Sequence, residues 1–181
     1  MRPLRASRVQ QLCNECMLRR VCFLVPFLFL LAAIAAPANV PQADRIVVEK
    51  GARTLTLFRD GKVLKSYKVA LGRDPVGPKT REGDGKTPEG EYRINGKNEH
   101  SQFHLSLRIS YPNASDRERA RKLSVNPGGD IFIHGLPPQW AWLGAAHRQR
   151  DWTLGCIAVT NAEIEEIYAR VPVGIPVEIK P

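Results

Sequence analysis

Ile131-Phe132-Ile133-His134-Gly135 and Asp151-Trp152-Thr153-Leu154-Gly155-Cys156-Ile157-Ala158-Val159 are the two segments on which the reading of this chain turns. Each joins a short apolar run, of strand length, to a polar end. His134 and Gly135 close the first run. Thr153-Leu154-Gly155-Cys156 enters the second from an irregular segment. A cysteine nucleophile needs a nearby base and donors for the oxyanion. Gly155 lets a substrate approach the backbone, and a turn of this kind exposes consecutive N–H groups. Cys156 and His134 lie 22 residues apart, and two strand ends at that separation can meet across a sheet. On these features alone Cys156 is either a reactive thiol or a small buried core residue, and His134 either a base or a structural histidine.

Upstream, the chain reads as short strands joined by turns. Arg45–Glu49 is a strand. Thr54–Phe58 alternates, with Leu55 and Leu57 on one face, and Asp60-Gly61 is a hairpin signal before a partner strand over 63–71. Residues 72–90, rich in Gly and Pro, form a long loop, and such loops usually carry a function. Strands follow at 91–94 and 104–109. Ser115-x-x-Glu118 is a capping box opening a basic helix to Leu123. Residues 139–149 form a short helix. Downstream, Thr160-x-x-Glu163 opens a helix with Ile164, Ile167, Tyr168 and Val171 on one face; Pro172 ends it, and 176–179 is a closing strand. The expected fold class is mainly β with a few short helices.

The N-terminus changes the meaning of the composition. Lys+Arg minus Asp+Glu is 27 − 18, or +9, over 181 residues with four cysteines. Five arginines and one acid fall in residues 1–20. Val21–Ala38 then runs 18 residues without a charge and ends in small residues. A positive flank, an apolar stretch and a small-residue end describe a secretory signal peptide; retained, the same segment, 21–38, is a membrane anchor. Met17 is an alternative start, and Arg19-Arg20 resembles a twin-arginine export signal less well. The expected division is residues 1–38 as signal or anchor and 39–181 as one domain outside the cytoplasm. Without 1–38 the charge is 22 − 17, or +5, and Cys13, Cys16 and Cys22 are gone. Cys156 is then the sole cysteine of an exported domain and closes no internal disulfide. That leaves it inert, paired with another chain, or reactive.

Ile133-His134-Gly135 through Thr153-x-Gly155-Cys156-Ile157 to Asn161 resembles the catalytic signature of the L,D-transpeptidase family, the YkuD-type domain. So do the loop from Gly83 to Tyr92 and the ending Tyr168-x-x-Val171-x-Val173-Gly174-x-Pro176-Val177. The resemblance covers about residues 44–181, and Asp-Trp-Thr-x-Gly-Cys-Ile-Ala is similar to the murein-peptidase-like branch of Gram-negative bacteria. It implies a β-sandwich-like catalytic domain in the periplasm acting on peptidoglycan stem peptides, with no cofactor. Carried over by position, Cys156 is the nucleophile, His134 the base, and the Gly135 carbonyl orients His134. N–H groups around Leu154, Gly155 and Cys156 form the oxyanion hole. A donor tetrapeptide loses D-Ala to form a thioester, which an amine resolves as a cross-link. Water in place of the amine makes the same enzyme a hydrolase.

The chain departs from the commonest pattern at two positions. Leu154 stands where many members have His, and Ala158 where many have Arg. The second departure leaves a substrate carboxylate without its usual partner. Arg150, held by Asp151, is a candidate replacement, and Thr153 a second candidate for substrate contact. Several other features carry less. Gly85-Lys86-Thr87 imitates the end of a P-loop, but position 80 is Thr and Pro88 follows. His100 and His104 have no matching Cys or carboxylate pattern, so no metal site is expected. His147 reads as a surface histidine; Trp140, Trp142 and Trp152 read as core or as a groove lid. Arg117, Arg119, Arg121 and Lys122 read as a solvated helix face, and nucleic acid is not an expected partner.

Overall fold

A computed structural model describes residues 40–181. The expectations for 1–38, including Cys13, Cys16, Cys22 and the 21–38 segment, lie outside the described residues. The eight strands are β1 (Arg45–Glu49), β2 (Thr54–Arg59), β3 (Lys62–Lys68), β4 (Gly90–Ser101), β5 (His104–Ile109), β6 (Phe132–His134), β7 (Ile157–Ala158) and β8 (Pro176–Lys180). Two α-helices, α1 (Ala114–Lys122) and α2 (Asn161–Arg170), and a 3₁₀ segment at Pro138–Gln149 complete the domain. The expected class, mainly β with short helices, is the observed one.

The strand order is β3-β2-β1-β8-β4-β5-β6-β7. Asp60 and Gly61 have φ of 50° and 73°, the left-handed pair that a two-residue hairpin matched to strand twist requires. β4 has a double role. Its first residues pair antiparallel with β8, and from Ile94 onward it pairs with β5, with register shifts after Ile94 and Asn98. Those irregularities bend the strand between the two halves of the sheet. The chain after β3 then reaches the far edge. Ala70 N–H donates to Ala158 O at 2.9 Å and Ala158 N–H to Ala70 O at 2.8 Å. The last strand therefore meets the continuation of the first, which leaves little open edge.

The core follows from alternation. Ile46 and Val48, Leu55 and Leu57, Ile94, Leu107, Ile109, Ile133 and Ile157 are fully buried, with Val177 and Ile179 beside them. Helix α2 covers this core with Ile164 and Ile167. Its predicted capping box is present: Thr160 Oγ1 accepts from Glu163 N–H at 3.3 Å and Glu163 Oε2 from Thr160 N–H at 2.9 Å. Helix α1 starts two residues earlier than expected. Its box is Asn113 with Asp116, not Ser115 with Glu118. Asp116 is buried and its Oδ2 also accepts from the Tyr92 hydroxyl at 3.0 Å, a tertiary bond that fixes which of two overlapping boxes forms. The strand expected at 91–94 runs on to Ser101.

Ile133 packs in the core one residue before His134. Ile133→Ala should lower the unfolding free energy by about 3 kcal/mol in urea titrations monitored by tryptophan fluorescence. A cost below about 1 kcal/mol would show that β6 is not a core strand.

Candidate active site

The parallel pair β6–β7 sets the site. Ile133 lies opposite Ile157 and His134 opposite Ala158, so Cys156 precedes the strand beside the one that His134 ends. Both residues line one cavity of about 530 Å³. Phe103, Trp152, Leu154 and Lys79 also line it.

His134 is 3% exposed. Its Nδ1–H donates to the Gly135 carbonyl at 2.7 Å, which leaves the Nε2 lone pair as the basic position. The Phe103 ring lies 4.4 Å away and the Trp152 ring 5.8 Å away, centroid to centroid. Burial among these rings holds the imidazole down at about 4, against the Gly135 bond, which favours the charged form. Gly135 admits no side chain, since a Cβ would lie 2.6 Å from Asn161 Oδ1 and 2.9 Å from Ile164 Cγ2. Asn161 Oδ1 accepts instead from Leu136 N–H at 2.7 Å, which ties the turn after His134 to the start of α2.

The Cys156 turn is held by Thr153. Its hydroxyl donates to Cys156 O at 2.7 Å and accepts from Gly155 N–H at 3.1 Å. Thr153 is 4% exposed, so it shapes the turn even though it borders the cavity. The Gly155 N–H is thereby engaged; of the three N–H groups expected to meet an oxyanion, those of Leu154 and Cys156 have no acceptor among the described residues. Gly155 has φ +137°, and a Cβ there would come 2.6 Å from Lys86 O; only glycine fits. Leu154 points outward, 65% exposed. Cys156 Sγ–H faces Asp130 O at 3.6 Å, and burial pushes the thiol up. Both shifts favour the neutral forms, thiol and imidazole, over a thiolate–imidazolium pair.

Arg150 is not brought to this cavity. It is exposed and lines a neighbouring hollow with Trp140, His147 and Trp152. Asp151, expected to hold it, instead accepts from Arg53 Nη2 at 2.9 Å and from Leu71 N–H at 2.8 Å. His147 is buried, not superficial, and burial followed by the Arg148 charge holds it down at about 4. Trp152 is a cavity wall, whereas Trp142 is 81% exposed. The sequence reading missed Lys79, Phe103 and Asp130. Lys79 lies in the 72–90 loop, which was singled out as a whole, but no spacing marks it within that loop.

The fold and site have counterparts. A family model described as the YkuD L,D-transpeptidase catalytic domain matches residues 43–179. YafK of Escherichia coli K12, whose name assigns it provisionally to the L,D-transpeptidases, is 32% identical over 129 residues, 68% of this chain and 45% of that protein. The chain thus spans about half the length of the curated relatives it matches. Among solved structures, the helical cell shape determining protein Pgp2 from Campylobacter jejuni superposes with a TM-score of 0.59 at 25% identity, over 78% of this chain and 49% of that one. An L,D-transpeptidase from Mycobacterium smegmatis shares the fold at TM-score 0.51 and 18% identity, over 77% and 59%.

The depressed histidines set a pH window. Above the ordinary value of 6.5, folded and unfolded His134 are both neutral. Below it the unfolded state binds a proton that the folded state refuses until about 4. Stability is therefore complete above pH 6.5 and falls as pH drops from 6.5 to 4, by about 3 kcal/mol for His134. His147 adds in the same direction. Urea midpoints at pH 7, 5.5 and 4.5 should decrease in that order, with a shallower decline in His134→Gln. A flat profile in the wild type would contradict the buried neutral histidine.

Proposed function

The chain belongs to the L,D-transpeptidase (YkuD) catalytic-domain family, and on that premise we propose that it acts on peptidoglycan stem peptides by acyl transfer through Cys156. The observation that carries this is the shared cavity: one wall holds Cys156, and another holds His134 with Nδ1–H committed to Gly135 O. Sγ attacks the amide carbonyl carbon of a donor tetrapeptide while His134 Nε2 takes the thiol proton. The oxyanion is met by the N–H groups of Leu154 and Cys156. His134 returns the proton to the departing amine, the C–N bond breaks, and D-Ala leaves. An acceptor amine, its proton drawn off by His134, attacks the thioester carbonyl. The C–S bond breaks, Sγ is reprotonated, and a new amide links two stems.

The neutral resting pair is consistent with this route. A base that is free at neutral pH takes the proton during attack, and general-base assistance of this kind contributes about 10²–10⁴-fold. Hydrolysis is the second reading, as an L,D-carboxypeptidase or an amidase releasing wall-linked protein, with water in place of the amine and the same residues. We place this work in the periplasm of a Gram-negative bacterium, with residues 1–38 as the export signal, or as an anchor through 21–38. The fold shared with Pgp2 agrees with a role in remodelling the wall and cell shape.

Incubation of the purified domain with disaccharide tetrapeptides, followed by muropeptide chromatography, tests the proposal. New dimers together with free D-Ala are expected; tripeptides without dimers would favour hydrolysis. Cys156→Ala should abolish either product, and His134→Ala should slow it by about 10²–10⁴-fold. Unchanged product in Cys156→Ala, or sacculus binding with no product from any variant, would overturn the assignment in favour of a wall-binding module.

A further inference from the structure

Two buried lysines bind into the 72–90 loop, Lys50 from outside it and Lys79 from within, and their hydrogen bonding differs. Lys50, 2% exposed, uses all three N–H donors: Gly77 O at 2.7 Å, Thr87 O at 3.0 Å and Glu89 Oε1 at 2.7 Å. It is a fully satisfied structural cation. Lys79, 3% exposed, uses two: Asp84 Oδ1 at 2.7 Å and Arg81 O at 3.1 Å. Its third donor has no partner among the described residues, and Lys79 lines the cavity that holds Cys156. A buried ammonium with a donor to spare, at the edge of a reaction cavity, is suited to an anion that arrives with the substrate.

The loop is built to hold that charge in place. Burial alone would raise the Asp84 carboxyl. Lys79 and the N–H groups of Thr80, Arg81 and Lys86 outweigh it and hold the group down at about 2. Asp84 therefore stays ionised as the fixed counter-ion of Lys79. The other charges on the cavity wall are already answered: Glu82 accepts from Asn126 Nδ2 at 2.7 Å, and Asp130 pairs with Arg108 at 3.0 Å. Ala158, two residues after Cys156, is fully buried in β7 and supplies no cation.

Resting on the acyl-transfer reading of Cys156, we propose that Lys79 is a specificity-determining residue that binds the terminal carboxylate of the donor peptide's leaving D-alanine. The carboxylate accepts the spare Nζ–H as a charge-assisted hydrogen bond, beside the Asp84 that already balances the ammonium. The cation thus comes from the loop before β4 and not from the strand after the nucleophile.

The test compares a tetrapeptide ending in a free carboxylate with the same peptide ending in a carboxamide, reading kcat/KM for release of the terminal residue. The wild type should prefer the acid by about 10- to 100-fold, the range for one charged hydrogen bond. Lys79→Met should lose most of that preference by slowing only the acid, Lys79→Arg should keep part of it, and Lys50→Met should keep all of it. Iodoacetamide alkylation of Cys156, which involves no carboxylate, should be the same in Lys79→Met and wild type within about threefold. Equal rates for acid and amide in the wild type would overturn the proposal whether or not Lys79→Met folds. So would a Lys79→Met that slows both peptides and alkylation alike. A wild type that releases nothing from either peptide would instead refute the acyl-transfer reading itself.

Discussion

The hydrogen bond from His134 Nδ1–H to the Gly135 carbonyl is the contact on which the site depends. It fixes the tautomer, and with it which ring nitrogen is left with a free lone pair. The bond exists because Gly135 has no side chain, and Gly135 must be bare because Asn161 and Ile164 of α2 occupy the space a Cβ would need. Helix α2 sits there because Ile164 and Ile167 bury against the sheet. Core packing, helix position, turn geometry and base orientation thus form one chain of causes. A carboxylate partner for His134 would add a charge to this buried place; a backbone carbonyl orients the ring without one.

The same low-polarity surroundings push the two reactive groups in opposite directions, His134 down and Cys156 up. Both shifts favour the uncharged form, which suits the buried His134 and the half-buried Cys156. Under the acyl-transfer proposal, charge enters when a substrate brings a polarised carbonyl and displaces water from the cavity. The fixed charges are kept in the 72–90 loop, where Lys50–Glu89 and Lys79–Asp84 are buried ion pairs closed by backbone carbonyls and amides. Those pairs explain how a stretch dominated by turns makes a firm cavity wall.

Much of this was legible in the sequence where local chemistry decides. Alternating Leu55 and Leu57, the Asp60-Gly61 hairpin and the Thr160 capping box carry their outcome in neighbouring residues. The placement of His134 and Cys156 on one cavity was legible because His134 ends one short apolar strand, Cys156 directly precedes the next, and Gly flanks both. Where distant residues decide, the reading failed. Asp151 turns away from its neighbour Arg150 to Arg53, 98 positions earlier. The start of α1 is set by Tyr92 reaching Asp116, 24 positions apart. β4 runs on past Ile94, where the strand was expected to end, because β5 supplies partners for Gly96 to Asn98. His147 looks like a surface residue among arginines, yet it is buried, with the Trp152 indole N–H directed at its Nδ1. Lys79 has no sequence mark beyond its loop; its importance appears when its donors are counted against those of Lys50.

The state of His134 is the direct test of this account. Uniform ¹⁵N labelling of the histidines, with the His134 signals assigned by their loss in His134→Gln, reads the tautomer and charge by long-range ¹H–¹⁵N correlation. The account predicts a protonated Nδ1 and a bare Nε2 at pH 6, persisting to about pH 5. An imidazolium at pH 6, or a neutral ring with its proton on Nε2, would contradict it.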